Sequence, residues 1–431
     1  MTLRVLAGLL LVFAAVRAPA APAPWAARAE AGAAESASRA EDLVIRLVTV
    51  EPGTPLYSWW GHSAIIVEDT RLKHARFYNY GLFSFEKDNF LRNFIQGRLW
   101  FEVGAADARR ELAAYRADNR TIRIQTLDLV PARRLEMARF LEWNILPENR
   151  SYRYDHYLDN CATRVRDLID RMVDGQLAAD AAAPGRLSLR GHTRRFTAGH
   201  PVMNWVLMFL MSGGIDRPID RWAEMFLPME LERNVAGLTY TDPDGRRRTL
   251  VSAESLFYQA RGRAGVPALP PRYVPPALGI GVGLALVVLG LGFWRSRGGR
   301  SARAWSGTWE GLLGLAIGLI GAILAFMSLF TDHTVTYENR NLLLASPLAL
   351  LAMPLGVVLA SGAHWAGRWL GYLWALLVVL SLAALFLQVF PAYRQDNWLV
   401  VALLLPVQLA GAANGLTRWR GDKRGFRRRL A

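Results

Sequence analysis

Between Asp42 and Val50 apolar and polar positions alternate, and the same two-residue period recurs from Ser63 to Glu68, so both segments are predicted as half-buried strands. Arg76 to Tyr80 follows after the polar stretch Asp69 to His74, which predicts a hairpin. The period becomes helical over Asp107 to Arg116 and over Pro131 to Ile145, where Pro131 stands in a first turn that does not need its missing N–H. Thr121 to Leu129 lies between these helices as a strand. Val165, Leu168, Ile169 and Met172 restore helical spacing and place Cys161 in the first turn of another helix. Met203 to Met211 is apolar but too short to cross a bilayer; it is expected to be a buried helix, the alternative being one on the membrane surface. Asp242-Pro243-Asp244-Gly245 is a turn between two short strands. Consecutive strands mixed with helices give an α+β domain over residues 41–260.

The pattern then changes. After a proline-rich linker at 261–273, five apolar stretches at 274–294, 309–330, 343–361, 369–390 and 398–416 each approach the ~20 residues that a helix needs to cross ~30 Å of hydrocarbon. Buried soluble helices would carry polar faces, which these lack, so residues 274–416 are read as an all-α bundle of five transmembrane helices. At the other end, Arg4 precedes an apolar run from Val5 to Val16 and the small-residue pattern Ala18-Pro19-Ala20, which reads as a signal peptide over 1–20. Residues 21–40, rich in Ala and Pro, read as a flexible leader.

Charge fixes the orientation. Arg295, Arg297, Arg300 and Arg303 follow the first span, and residues 417–431 form a basic tail. Both belong in the cytoplasm, as an odd number of spans after an exported domain requires. The net charge of +15 in 431 residues thus reports topology and contact with anionic lipid. Nucleic-acid binding is set aside, because the basic clusters border the membrane and do not share a soluble face.

The chain has one cysteine, Cys161, on the exported side. A single thiol makes no internal disulfide and no structural zinc site, so a nucleophile is weighed against a small buried apolar residue. Asp159 or Asn160 is placed to cap the helix that Cys161 opens, and the helix dipole there is expected to favour thiolate. Of the histidines, His62 stands out in Trp59-Trp60-Gly61-His62-Ser63, where it opens an apolar strand; His156, five residues before Cys161, is the runner-up.

Gly61-His62-Ser63 on a strand, followed by Asn160-Cys161 opening a helix, resembles the circularly permuted papain-like group that includes NlpC/P60 and lecithin retinol acyltransferase-like enzymes. More closely, Trp59-Trp60-Gly61-His62-Ser63, Tyr78-Asn79-Tyr80-Gly81, Tyr154 through Asn160-Cys161-Ala162-Thr163-Arg164, and Phe226-Leu227-Pro228 resemble the Lnb-type bacterial lipoprotein N-acyltransferases. The resemblance implies a permuted papain-like periplasmic domain on an inner-membrane bundle, with Cys161 as nucleophile, His62 as base and a third polar residue orienting the imidazole. Asn79 on the neighbouring strand is expected in that role, with Tyr78 and Tyr80 as substitutes. Trp59, Trp60, Tyr78 and Asn160 are expected around the substrate, the two tryptophans at an acyl-chain entrance. His333, Asn339 and Asn341, in the polar loop 331–341 on the exported side, are expected to bind a lipid headgroup or the acceptor amine, or to dock the catalytic domain.

The activity so implied is acyl transfer from a membrane phospholipid, through a Cys161 thioester, to the α-amine of a diacylglyceryl-modified lipoprotein. That chemistry requires no metal or cofactor. The rivals are a cell-wall cysteine peptidase or amidase, which would not need five spans, a phospholipase sharing the first half-reaction, and a non-enzymatic periplasmic sensor or scaffold.

Overall fold

The structure, a computed structural model, describes residues 38–83 and 90–429. The signal peptide and nearly all of the expected leader lie outside the described residues. Seven strands form one antiparallel sheet in the order β6-β4-β3-β2-β1-β5-β9: β1 (Leu43–Val50), β2 (His62–Asp69), β3 (His74–Leu82), β4 (Trp100–Asp107), β5 (Ile122–Leu127), β6 (Ser151–Arg153) and β9 (Val251–Tyr258). The expected strands β1, β2, β3 and β5 occupy its centre, and the hairpin between β2 and β3 forms as read. The turn Asp242–Gly245 joins β7 (Thr239–Thr241) to β8 (Arg247–Thr249). Strands β4, β6 and β9, which the pattern did not mark, extend the sheet on both sides.

Alternation along the central strands divides the sheet into two faces. Ile45, Leu47, Ile65, Val67, Tyr78 and Tyr80 face helices α3 (Pro131–Asn144) and α4 (Cys161–Met172), which contribute Met137, Leu141, Val165 and Ile169 to the same core. Val48, Val50, Ala64, Ile66 and Phe77 face the opposite way, onto Ala108 and Leu112 of α2 (Ala108–Ala117). Each such aliphatic side chain contributes about 1.5–3 kcal/mol by leaving water, so register is strongly fixed: a one-residue slip of β2 would exchange its two faces. Helix α1 (Phe90–Gln96) precedes β4.

Among the described residues, five helices are long and apolar enough to cross a membrane: Val274–Ser296, Arg300–Phe330, Asn341–Ala360, His364–Leu387 and Trp398–Gly415. They match the five predicted spans. The third is interrupted, with one turn at Asn341–Leu344, a tighter 3-10 segment at Pro347–Leu351 and α-helix from Ala352 to Ala360. Pro347 cannot donate to the preceding turn, which explains the break. A Cβ on Gly321 would lie 1.9 Å from the Ala345 carbonyl oxygen, so glycine is what lets the second span meet that break.

The domain is seated on the bundle through α6 (Pro201–Leu210), which follows α5 (Leu189–Phe196). A buried helix was expected here, and the structure corrects this. Only Asn204 and Met208 are buried; Trp205 and Phe209 pack against the bundle core, while Val202 remains 77% and Val206 44% exposed. The helix is apolar all round because it meets the bundle as well as its own domain.

Candidate active site

Cys161 is placed by an N-terminal cap. Asn160 Oδ1 accepts from the backbone N–H groups of Ala162 (2.8 Å) and Thr163 (3.0 Å), and Thr163 Oγ1 accepts from the Asn160 N–H at 2.8 Å, a reciprocal capping box. The Asn160 amide donates to the carbonyls of His156 (2.7 Å) and Phe226 (3.0 Å). Its hydrogen-bonding groups are thus committed to holding the helix start, and the expected substrate contact gives way to an anchoring role. Phe226-Leu227-Pro228 also bears on the histidine strand, since a Cβ at Gly61 would lie 3.5 Å from the Pro228 ring and 2.8 Å from the Val50 carbonyl oxygen. Gly61 has φ +82°, so glycine is required there on both counts. One motif therefore clamps the approaches to both His62 and Cys161.

The pairing of β2 with β3 ends at Ala64–Asn79, although β2 begins at His62 and β3 continues to Leu82. Gly81, at φ +93°, sits where the register of β3 with β4 shifts. The two strands part there, and Cys161 fills the opening: its Cβ would lie 3.8 Å from a Cβ on Gly81, and the backbone N–H groups of Ser63, Ala162 and Cys161 itself are directed at the thiol. His62 flanks the gap on the α2 face, 6.0 Å from the Tyr115 ring between centroids. Asn79 shares that face and reaches both His62 and Tyr115 with its side chain.

Burial dominates the electrostatics. It lowers the pKa of His62 to about 4, helped by the charge of Arg120 and opposed by a hydrogen bond that the ring donates to the Asn79 side chain. Burial also pushes the Cys161 thiol up, against the three backbone N–H groups and Arg120, which favour thiolate. The acidified thiol expected from the helix start is therefore corrected: desolvation outweighs the N–H groups that face the sulfur. His62 Nε2 is buried with no hydrogen-bond partner, so no bonded Cys–His pair is present among the described residues. The thiol lies in the gap and the imidazole flanks it on the α2 face, both neutral.

The remaining expected residues separate clearly. Tyr78 and Tyr80 point to the α3 face, where their hydroxyls reach Glu142 and, at 2.8 Å, Asn144; neither can orient His62. Tyr78 is buried there and is not placed to meet substrate. Trp59 stacks on His200 at 3.7 Å and donates Nε1–H to the Thr54 carbonyl at 3.0 Å. Trp60 packs edge-on to His156 at 4.6 Å, in a cluster with Tyr157 and Phe226. His156 is held through Nδ1 by the Tyr154 hydroxyl at 3.2 Å, and burial lowers its pKa to about 4 as well.

In the loop 331–341, Asn341 donates to the Phe209 carbonyl at 2.7 Å and Asn339 to that of Leu210 at 2.8 Å, satisfying the last carbonyls of α6. Asp332 pairs with Arg98 and Arg153, each at 2.9 Å, and His333 Nε2 lies 3.1 Å from the Phe94 carbonyl oxygen. Of the roles expected for His333, Asn339 and Asn341, these contacts are those of docking. Sequence reading missed Tyr115 and Arg120; neither stands in a motif, and only the close of α2 onto the sheet brings them to His62.

Residues 31–195 match the model of the Lnb N-terminal periplasmic domain, and residues 275–411 match that of the Lnb transmembrane domain. No curated protein and no solved structure matches the chain. The two family matches meet the sheet domain and the five-helix bundle in the order the structure presents them, with the sheet domain on the periplasmic side of the inner membrane. The chain belongs to the Lnb family, the lipoprotein N-acyltransferases, which move an acyl chain from a membrane lipid to a lipoprotein amine.

Proposed function

We propose that Cys161 carries the acyl chain as a thioester, that His62 is the base and acid of both half-reactions, and that Asn79 orients the imidazole. The observation supporting this reading is the thiol in the gap between β2 and β3, against the Ser63 amide and next to the strand start that bears His62 and its neighbour Asn79. In acylation the thiol proton passes to His62 Nε2 and sulfur attacks the ester carbonyl of a phospholipid. The Ser63, Ala162 and Cys161 N–H groups, already aimed at sulfur, lie where the developing oxyanion forms. Collapse releases the lysolipid alcohol, which takes the proton from His62. The α-amine of a diacylglyceryl lipoprotein then attacks the thioester, and sulfur leaves with a proton returned through His62.

A neutral resting pair suits this order. A buried imidazole with a pKa of about 4 is a weak base but a strong acid once protonated, which favours expulsion of the poorly leaving lipid alkoxide. Trp59 and Trp60 lie in the segment leading to His62, and their packing on His200 and His156 gives them the role of holding that segment in place.

The test is to incubate the full-length protein in detergent with phospholipid and a synthetic diacylglyceryl peptide, and to weigh the peptide by mass spectrometry. An acyl increment is expected, absent in Cys161→Ala and reduced about 10²–10⁴-fold in His62→Gln. Transfer that survives in Cys161→Ala rules the thioester out.

A further inference from the structure

Arg120 is nearly fully buried, yet no carboxylate among the described residues pairs with it. Its Nε donates to the Glu51 carbonyl at 2.8 Å, one residue beyond the Val50–His62 pair. Its guanidinium carbon lies 5.1 Å from the centre of the Tyr115 ring, which itself tilts against His62. Nη2 is buried and has no partner. A buried unpaired cation is costly, and proteins ordinarily neutralise one. The charged and titratable groups around it are Tyr115 on α2, Asp118 in the following turn, Arg263 in the linker, Cys161 at the start of α4 and His62 on β2. Asp118 makes no ion pair with it, Arg263 repels it, and Tyr115 is neutral, so the group able to complement it is the anion that the reaction creates.

We infer that Arg120 is the fixed counter-charge of the active site, stabilising the negative charge that builds on the Cys161 sulfur and the ester oxygen while discouraging a lasting imidazolium on His62. It takes no proton and forms no bond. As S–C forms and the carbonyl electron pair moves to oxygen, the thiol proton rests on His62 only until the lysolipid oxygen takes it. The cation beside His62 drives that release and holds the oxyanion meanwhile. At rest burial, helped by the same charge, keeps His62 neutral and burial keeps the thiol protonated, which protects a lone thiol in an oxidising compartment. Arg120 acts through its field as a positioning residue. The inference rests on Cys161 and His62 being the reacting pair.

The experiment measures the rate of Cys161 alkylation by iodoacetamide against pH in the full-length protein, for wild type, Arg120→Met and Arg120→Lys, with single-turnover thioester formation from phospholipid alongside. Cys161 is the chain's only thiol, so alkylation reports it alone. Arg120→Met is expected to move the alkylation midpoint to higher pH and to slow thioester formation by roughly tenfold or more at unchanged half-saturating phospholipid; Arg120→Lys should restore most of both. An alkylation profile unchanged in Arg120→Met overturns the inference, whatever happens to activity. So does a loss of thioester formation that Arg120→Lys shares in full while its alkylation profile matches wild type. Thioester formation without Cys161 would instead defeat the nucleophile assignment, so the two failures are distinct.

Discussion

His62 differs from the histidine of a preformed thiolate–imidazolium pair in feeling the positive charge of Arg120 and in having a neutral amide, Asn79, as its polar neighbour. Its acid limb should move accordingly. The rate of thioester formation, followed without acceptor so that the acceptor amine does not titrate into it, is expected to stay level through pH 6.5 and to fall only near pH 4, where the buried imidazole protonates. A midpoint at the ordinary imidazole value would show that His62 is not buried in the working enzyme. Asn79→Ala removes one hydrogen bond to the ring, worth about 0.5–1.5 kcal/mol, and should slow the same step by up to roughly tenfold.

Among the elements, the helix start at Cys161 shows most plainly how a local signal acquires a tertiary use. Asn160-Cys161-Ala162-Thr163 predicts a capped helix, and the capping box forms. The same Asn160 amide also ties the cap to Phe226 and His156. Asn160→Ala therefore loses more than a cap, which alone is worth about 1 kcal/mol, because two buried carbonyls are left without a donor. Chemical denaturation should report a loss above that figure, and activity should fall further than stability, since the thiol is no longer held in its gap. Asn160→Asp is the informative companion: it keeps the cap acceptor but removes the amide donors, so a loss close to that of Asn160→Ala would place the weight on Phe226 and His156. The central strands and helices α2 and α4 were legible because each shows one clean period, and α3 because Pro131 marks its first turn. Strands β4, β6 and β9, the two edges and the strand next to one of them, were not, since such outer strands are chosen by the pairing partners they find.

The whole molecule joins a sheet domain to a bundle through loop 331–341 and α6, and it carries two half-buried neutral histidines, His62 and His156, whose Nε2 atoms are shut from water, each with a pKa of about 4. Unfolded, both would titrate near 6.5, so the unfolded chain binds up to two more protons between pH 6.5 and 4. Their contribution is complete above pH 6.5 and is lost as the pH falls toward 4, where the folded state begins to protonate as well. The thermal midpoint of the full-length protein should drop across that window, and His156→Gln should flatten the drop relative to wild type.

Order along the chain is enough for the central elements and the membrane topology: hydrophobic period selects strand or helix residue by residue, five spans follow from length and apolarity, and basic borders orient them. It also marks Cys161 and His62, because a cap, a glycine and a strand start are local signals, whereas Asn79 was expected only through the family resemblance. Folding was needed to turn Tyr78 and Tyr80 away from the site, to set Asn339 and Asn341 against the end of α6, and to make the thiol neutral. Folding alone brought Arg120 onto Tyr115, beside the strand start of His62. Burial and the facing charge depend on what the rest of the chain packs against a residue, and neighbours along the sequence carry no record of that.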